Sequence, residues 1–148
     1  MTSQRFRSFH FVLPHVLWAQ VERSYPSAGM QVTPAGRVDM VDGDESIRQS
    51  ILMLLATSPG ERVMRPEYGC LLHRVIFSPN DDTTAGLAIH YVRSAIDRWE
   101  PRIEILNLDA RRDPDSEGRL EVLLEYRVRA SQDVQHLRLP VQLSTGAA

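Results

Sequence analysis

The chain has 148 residues, of which 43% are hydrophobic and 24% are charged, and this composition is typical of one globular domain that buries a core. Its formal net charge is −2, from 17 basic and 19 acidic side chains, so we expect no binding to nucleic acid. All of the basic side chains are Arg, which can form bidentate contacts with carboxylates.

The cysteine and histidine content indicates neither a metal site nor a cofactor. Cys70 is the single cysteine, which excludes an internal disulfide and a cysteine-based metal cluster. The histidines are scattered, without the paired helical spacing that metal sites use. They are His10, His15, His73, His90 and His136.

The N-terminus resembles a secretory signal only loosely. Arg5 and Arg7 precede an apolar stretch over 9–19, but Pro14 interrupts it and no clear small-residue cleavage site follows. No run reaches the roughly 18 apolar residues of a membrane-spanning helix. We therefore expect cytoplasmic synthesis and no direct insertion into a membrane.

Residues 1–35 are predicted to form an extended arm, and residues 36–148 a folded domain. The arm contains Pro14, Pro26 and Pro34 and no sustained period, so only a short strand or helical turn is expected around 9–23. Its aromatic and aliphatic side chains favour docking over solvation. The sequence leaves open whether the arm docks on its own domain or on a neighbouring subunit.

The first helix is predicted over about 45–57. Asp44 is the expected N-cap, with Glu45 in the first turn where a carboxylate suits the helix dipole. Ile47, Ile51 and Leu54 lie on one stripe of this helix.

Two short elements are predicted next, followed by a longer helix. Residues 61–64 favour a short strand, and residues 70–77 a short helix, although a strand is possible there. Asp81 and Asp82 then open the second helix with favourable charge. Its buried stripe is predicted at positions three and four residues apart: Ala88, Tyr91, Val92, Ala95, Ile96 and Trp99.

A rigid corner is predicted where this helix ends. Pro101 lacks an N–H and disfavours the helical conformation at Glu100, so the helix should stop there. Glu100 and Arg102 then flank the proline with little backbone freedom between them. The simplest interpretation is a helix-end salt bridge, to Arg62 or to Glu61 of the preceding turn region.

After the corner the hydrophobic period changes from 3.6 to 2, which predicts three strands. The residues expected on the buried face are Leu106, Leu108, Ala110, Leu120, Val122, Leu124, Tyr126, Val128, Ala130, Leu137, Leu139, Val141 and Leu143. The turns at 113–118 and 131–133 make this an antiparallel meander, covered on one face by the two helices. The predicted fold class is α+β.

Pro140 lies inside the last predicted strand. Because proline cannot donate to a sheet ladder, this strand is expected at the edge of the sheet. Two interpretations remain open: Pro140 and Arg138 blunt the edge against aggregation, or the edge accepts a strand from a partner.

Several segments occur in a characteristic order along the chain. They are Ser46–Leu52, Ala56–Leu72 with its Gly60-Glu61-Arg62 and Pro66-Glu67-Tyr68-Gly69 runs, Phe77–Thr83, and Trp99–Arg102. In this order they resemble the baseplate wedge family of contractile phage tails, related injection particles and type VI secretion baseplates. The resemblance covers about residues 36–143, and some members of this family carry the label "lysozyme-like".

The resemblance implies a structural component present in several symmetric copies, which links inner wedge proteins to the first sheath ring. It implies that Glu100, Pro101 and Arg102 contact other wedge proteins, together with Glu61 and Arg62. It further implies that the edge strand, at Arg138, Leu139 and Val141, pairs with the sheath protein and starts its assembly. No catalytic residue is implied.

An enzyme is the alternative, because of the lysozyme label. Glycoside hydrolysis needs two carboxyl groups at a set separation, and Glu61 and Glu100 are the best-placed candidates. Neighbouring arginines depress a carboxylate pKa, whereas a general acid needs a raised one. Cys70 with His73 nearby could supply a nucleophile, but a cysteine in an apolar run is more often part of the core.

Overall fold

The computed structural model describes residues 7–9, 11–12, 29–30 and 32–143, and it confirms the α+β class. Within these residues there are three small antiparallel sheets, and two α-helices and a 3-10 helix lie between the N-terminal pairs of strands and the C-terminal sheet. In chain order the elements are β1 (Arg7–Phe9), β2 (Phe11–Val12), β3 (Gly29–Met30), β4 (Met40–Asp42), α1 (Asp44–Ala56), a 3-10 helix (Leu71–Val75), α2 (Asp82–Trp99), β5 (Ile103–Arg112), β6 (Arg119–Val128) and β7 (Val134–Gln142).

The predicted C-terminal meander is confirmed, with strand order β5-β6-β7 and antiparallel pairing throughout. Side chains of β6 alternate strictly between buried and half-buried, as expected for a strand with one face on a core. Helix α2 lies against β5 and β6, and α1 packs against α2. The core unites the predicted helix stripes with the inward face of the sheet: Ile47, Ile51, Leu54, Leu55, Ala88, Val92, Ala95, Ile96, Ile103, Leu108, Leu120, Val122, Leu124, Tyr126, Val128, Leu137, Leu139, Val141 and Leu143.

One predicted core position in β5 is wrong. The register of β5 against β6 shifts between Ile105 and Asn107, which marks a β-bulge. A bulge inserts one residue and reverses the alternation beyond it. Leu106 therefore lies outside the core and is 38% exposed, while Leu108 is buried. The predicted buried position of Ala130 is wrong as well, because β6 ends at Val128 and Ala130 lies exposed in the following turn.

Helix α1 has the predicted extent but a different N-cap. Gly43, and not Asp44, occupies the cap with a φ of +63°, and Asp44 is the first helical residue. A glycine adopts this backbone conformation at little cost. Asp44 still places its carboxylate in the first turn, where the helix dipole favours it.

The strand predicted at 61–64 is wrong. Residues 58–69, which we call the anchored loop, form successive turns in which Arg65 N–H donates to Arg62 O at 3.3 Å and Tyr68 N–H donates to Arg65 O at 3.1 Å. Pro59 and Pro66 lie two residues before and after 61–64. Because proline has no N–H to donate, these residues limit the pairing of this segment as a strand. The helix predicted at 70–77 is a 3-10 helix, Leu71–Val75.

Strand β1 of the predicted N-terminal arm lies on its own domain, whereas β2 and β3 pair with each other. Strand β1 pairs with β4, the Ser46 hydroxyl donates to Ser8 Oγ at 2.9 Å, and Gln49 Nε2 donates to the carbonyl oxygen of Phe9. These contacts cover a second face of α1. Most of the segment 9–23, where a short strand or helical turn was predicted, lies outside the described residues, and the boundary at residue 35 stays a prediction.

Candidate interaction site at the proline corner

The backbone of the corner is fixed on both sides of Pro101. Glu100 N–H donates to Ile96 O at 2.9 Å, which closes the last turn of α2. Arg129 N–H donates to Arg102 O at 2.9 Å, which ties the start of β5 to the turn after β6. Pro101 itself is exposed. The helix therefore stops where the sequence predicted, and the corner is held by both the helix and the sheet.

Glu100 and Arg102 form a bidentate ion pair across this corner. Arg102 Nε donates to Glu100 Oε1 at 2.5 Å, and Arg102 Nη2 donates to Glu100 Oε2 at 2.7 Å. The Glu100 side chain is only 6% exposed, whereas that of Arg102 is 30% exposed. A helix-end salt bridge is thus confirmed, but its partners are these two residues and not Arg62 or Glu61. The hydrogen bonds that Arg102 donates to Glu100 raise the pKa of Arg102, which keeps the guanidinium charged.

Aromatic contacts join the anchored loop to this pair. The Arg62 guanidinium lies 4.1 Å from the centre of the Tyr68 ring, a cation–π geometry. Tyr68 in turn meets Trp99 edge to face, with ring centroids 5.3 Å apart and planes at 62°. Burial raises the pKa of the Tyr68 hydroxyl, with Arg62 opposing the rise and Glu100 adding to it. Arg62 therefore contacts the corner indirectly, through the rings of Tyr68 and Trp99, and not through an ion pair with a carboxylate.

The acidic side chains of the anchored loop have partners of their own. Glu61 is exposed, and its Oε2 accepts the Ser58 N–H at 3.2 Å. Glu67 forms an ion pair with Arg98, whose guanidinium lies 5.1 Å from the centre of the Trp99 ring. Glu61 thus belongs to a local turn rather than to the predicted cluster with Glu100.

Sequence reasoning missed Tyr68 as the link between Arg62 and the corner. Trp99 belongs to the predicted core stripe and is half-buried, but its ring also contacts Tyr68 and Arg98. The spacing of residues 62 and 68 fits no helix or strand period. Only the fold of the turns brings these side chains together.

Strand β7 is an edge strand, because no described strand pairs with its outer side. Leu143 N–H donates to Gly118 O at 2.8 Å and Val128 N–H donates to Asp133 O at 2.9 Å, so the odd-numbered residues of β7 carry the bonds to β6. Pro140, an even-numbered residue, lacks an N–H that would have pointed outward. Its predicted place on an edge is confirmed, and the fold loses no ladder bond to it.

The predicted contact residues of this edge differ in accessibility. Leu139 and Val141 are 1% and 3% exposed and face the core, so their side chains are not presented to a partner. The Arg138 side chain is 75% exposed, and its Nη1 lies 3.9 Å from Glu121 Oε1. The outward backbone groups belong to the even-numbered residues, among them His136 and Arg138.

The described residues offer little for catalysis or metal binding. Cys70 is 2% exposed, and burial raises the pKa of its thiol to about 11, so the reactive thiolate is disfavoured. His73, its candidate base, is exposed. Across the part of the chain that the structure describes, no three of the side chains that commonly bind metals lie together, and no helix could cross a membrane.

Comparisons with known proteins agree on one family. The family described as baseplate wedge protein gp25 matches residues 41–133. The chain is 33% identical to baseplate protein W of Escherichia phage P2 over 97 residues, 66% of this chain and 83% of that protein. It is 36% identical to baseplate wedge protein gp25 of Enterobacteria phage T4 over 64 residues, which are 43% of this chain. That alignment spans only about half of the T4 protein, 48%.

Solved structures share the fold. A Geobacter sulfurreducens protein provisionally described as a tail lysozyme is 40% identical and superimposes with a TM-score of 0.64, over 80% of this chain and 99% of that one. A chain of the postcontracted pyocin R2 baseplate is 31% identical with a TM-score of 0.54, over 68% of this chain and 97% of that one. A chain of the anti-feeding prophage baseplate is 24% identical with a TM-score of 0.55, over 80% of this chain and 83% of that one, a likeness of fold alone.

Proposed function

The chain belongs to the gp25 family of baseplate wedge proteins, and on that premise we propose that it joins inner wedge proteins to the first sheath ring. As a family member it is a structural part of the baseplate of a phage tail or a related injection particle, among other baseplate proteins. The finer role is the proposal: several symmetric copies meet wedge proteins at the proline corner and the sheath protein at the edge of β7.

The buried carboxylate of Glu100 is the observation that carries the wedge contact. A partner cannot reach a side chain that is 6% exposed, but this carboxylate holds the Arg102 guanidinium through both of its oxygens. Such a guanidinium is oriented before a partner arrives, so little side-chain entropy is lost on binding. Glu100 thus positions Arg102, while Arg102 and Pro101 are the parts of the corner that a partner touches.

The outer side of β7 supports the sheath contact. A strand that adds to an edge bonds through outward backbone groups, and in β7 these precede Pro140 at Val134, His136 and Arg138. Pro140 removes one outward donor, so an added strand would pair along the first half of β7. Leu139 and Val141 contribute by holding the strand on the core and not by side-chain contact.

We propose further that the protein is not a glycosidase, although one relative was described as a tail lysozyme. The general acid of a glycosidase must hold and release a proton at the glycosidic oxygen. Both oxygens of Glu100 are instead bonded to the Arg102 guanidinium, and the side chain is only 6% exposed, so neither oxygen can reach a glycosidic bond. Purified protein should therefore leave the turbidity of a peptidoglycan suspension unchanged, and clearing would revive the enzymatic alternative with Glu61 and Glu100.

The wedge contact can be tested without a stranded buried charge. The double variant Glu100→Met/Arg102→Met keeps side chains of similar size and replaces the ion pair by apolar groups, a replacement that is often neutral for stability. We expect a monomer that melts near the wild-type temperature but does not enter baseplates, so that electron microscopy shows no sheathed particles. A control double variant, Glu104→Met/Arg127→Met, removes an ion pair of 3.5 Å on the sheet and should assemble. Intact sheathed particles from the corner variant would refute the wedge contact.

A further inference from the structure

The tip of the anchored loop presents two adjacent apolar side chains to solvent. Val63 is 95% exposed and Met64 is 90% exposed. Single exposed apolar residues are ordinary on a protein surface. Here, however, two neighbours project at the same point and neither contributes to the core. Their exposure therefore calls for a role other than folding.

The loop that carries them is held in place at several points. Cys70 N–H donates to Thr57 O at 2.8 Å, which closes the base of the loop. At Gly69 a side chain would meet Thr57 O at 2.5 Å, so the two ends of the loop are in close contact. Tyr68 packs on Trp99, and Glu67 pairs with Arg98. Val63 and Met64 thus stand on a preorganised support, which lowers the entropy lost on binding.

The charges around this tip are unequal. Glu67 pairs with Arg98, whereas exposed Glu61 accepts one hydrogen bond from the neutral Ser58 N–H, which does not cancel its formal charge. Arg62 and Arg65 flank the apolar pair and carry two positive charges against the one negative charge of Glu61. The surface is therefore apolar at its centre and has an excess of one positive charge at its rim.

We propose that the segment 62–65 is a second docking surface, which inserts Val63 and Met64 into an apolar groove of a neighbouring wedge protein. The groove is rimmed by carboxylates that face Arg62 and Arg65, because opposite charges at a rim steer and select the partner. This inference rests on the proposed function, since it takes the partner to be a baseplate protein. It adds a site that the corner residues do not include.

The proposed docking surface can be tested with a matched set of variants in assembled particles. Val63→Ser/Met64→Ser should keep the wild-type melting temperature, because both side chains are exposed. Its occupancy in purified particles, measured by mass spectrometry against the tube protein, should fall at least about tenfold. Phe77→Ser removes a residue that is 84% exposed outside the loop and should keep normal occupancy. Arg65→Glu should lower occupancy, whereas Arg65→Lys should retain most of it.

A photoreactive residue at position 64 identifies the partner. Cross-linking in assembled particles should join it to one wedge protein, at a peptide with apolar and acidic residues. Normal occupancy of Val63→Ser/Met64→Ser, an equal loss in Phe77→Ser, or cross-links to the sheath protein alone would overturn the inference. If the wild-type chain is absent from particles, the proposed function fails as well. If it is present and depends on the corner while the loop variants enter normally, the loop inference alone fails.

Discussion

Truncating the two members of the corner ion pair should destabilise the domain unequally. Arg102→Ala leaves a carboxylate that is 6% exposed without its guanidinium, and an uncompensated buried charge costs about 3–5 kcal/mol. Glu100→Ala instead leaves a guanidinium whose side chain is 30% exposed. Water can replace part of the two lost bonds, so we expect a smaller cost, about 1.5–3 kcal/mol.

The double variant Glu100→Ala/Arg102→Ala strands no charge. Its free energy of unfolding should therefore fall by less than the sum of the two single losses, with a coupling of about 2–3 kcal/mol. Urea unfolding followed by tryptophan fluorescence measures all four proteins of the cycle, and a constant slope against denaturant would support comparison of their midpoints.

A second cycle on Glu67 and Arg98 is the internal control. Their side chains are 70% and 58% exposed, and exposed pairs of this kind contribute about 0–1 kcal/mol. The reasoning would be refuted by equal losses in the two single corner variants, by additive losses, or by a coupling in the control cycle as large as at the corner. Any of these results would mean that burial of Glu100 does not determine the energetics.

Three further expectations concern the loop, the core and the edge. Gly69→Ala places a side chain against Thr57 O at a φ of +138°, so the free energy of unfolding in urea should fall by about 2 kcal/mol or more. Gly86→Ala, in an open helical position, should instead raise it by about 0.5–1 kcal/mol. Equal effects of the two variants would contradict the close contact at Gly69. Burial raises the pKa of Tyr126 to about 12 from an ordinary 10.0. The contribution of its neutral hydroxyl to the free energy of unfolding is therefore complete below pH 10 and is lost as the pH rises from 10 to 12. Thermal melts should show an alkaline loss of stability of up to about 3 kcal/mol, and this loss should be clearly smaller in Tyr126→Phe. Arg138→Pro removes an outward N–H that makes no hydrogen bond to β6, so this variant should fold but fail to bind the first sheath ring in particles. The control Arg138→Ala keeps that N–H and should bind. Sheathed particles from Arg138→Pro would argue against strand addition.

The helices and the meander could be predicted because their signal is periodic. Apolar residues recur every two positions in β6 and every three or four positions in α2, so the pattern predicts which side chains are buried. Pro101 and Pro140 act through the local chemistry of one residue, so the end of α2 and the edge position of β7 also followed from the sequence.

The errors lie where contacts between distant residues decide the local structure. The bulge at Ile105–Asn107 is a property of two paired strands, and no pattern within β5 alone reveals that Leu106 faces outward. The turns of the anchored loop depend on the approach of Gly69 to Thr57 and of Tyr68 to Trp99. The sequence at 61–64 therefore suggested a short strand, whereas no described strand pairs with this segment.

At the candidate site, too, features set by neighbouring residues could be predicted, whereas features set by tertiary packing could not. The sequence predicts a salt bridge at the helix end, because a proline fixes two opposite charges close together. It does not predict that Glu100 is buried, since burial depends on how the anchored loop packs beside α2. The alternation does predict that Leu139 and Val141 face inward, but it does not show which backbone groups of the edge strand point outward.

Burial separates the residues that build the corner from those that a partner can reach. Glu100 and Trp99 serve the fold first: the carboxylate is covered, and the indole joins the core to the loop. Arg102 belongs to both groups, because it neutralises the covered carboxylate and also presents an exposed part to a partner. The loop tip stands on this support and contributes little to it. Single substitutions of Glu100 or Arg102 should therefore lower stability and assembly together, whereas substitutions at the loop tip should lower assembly alone.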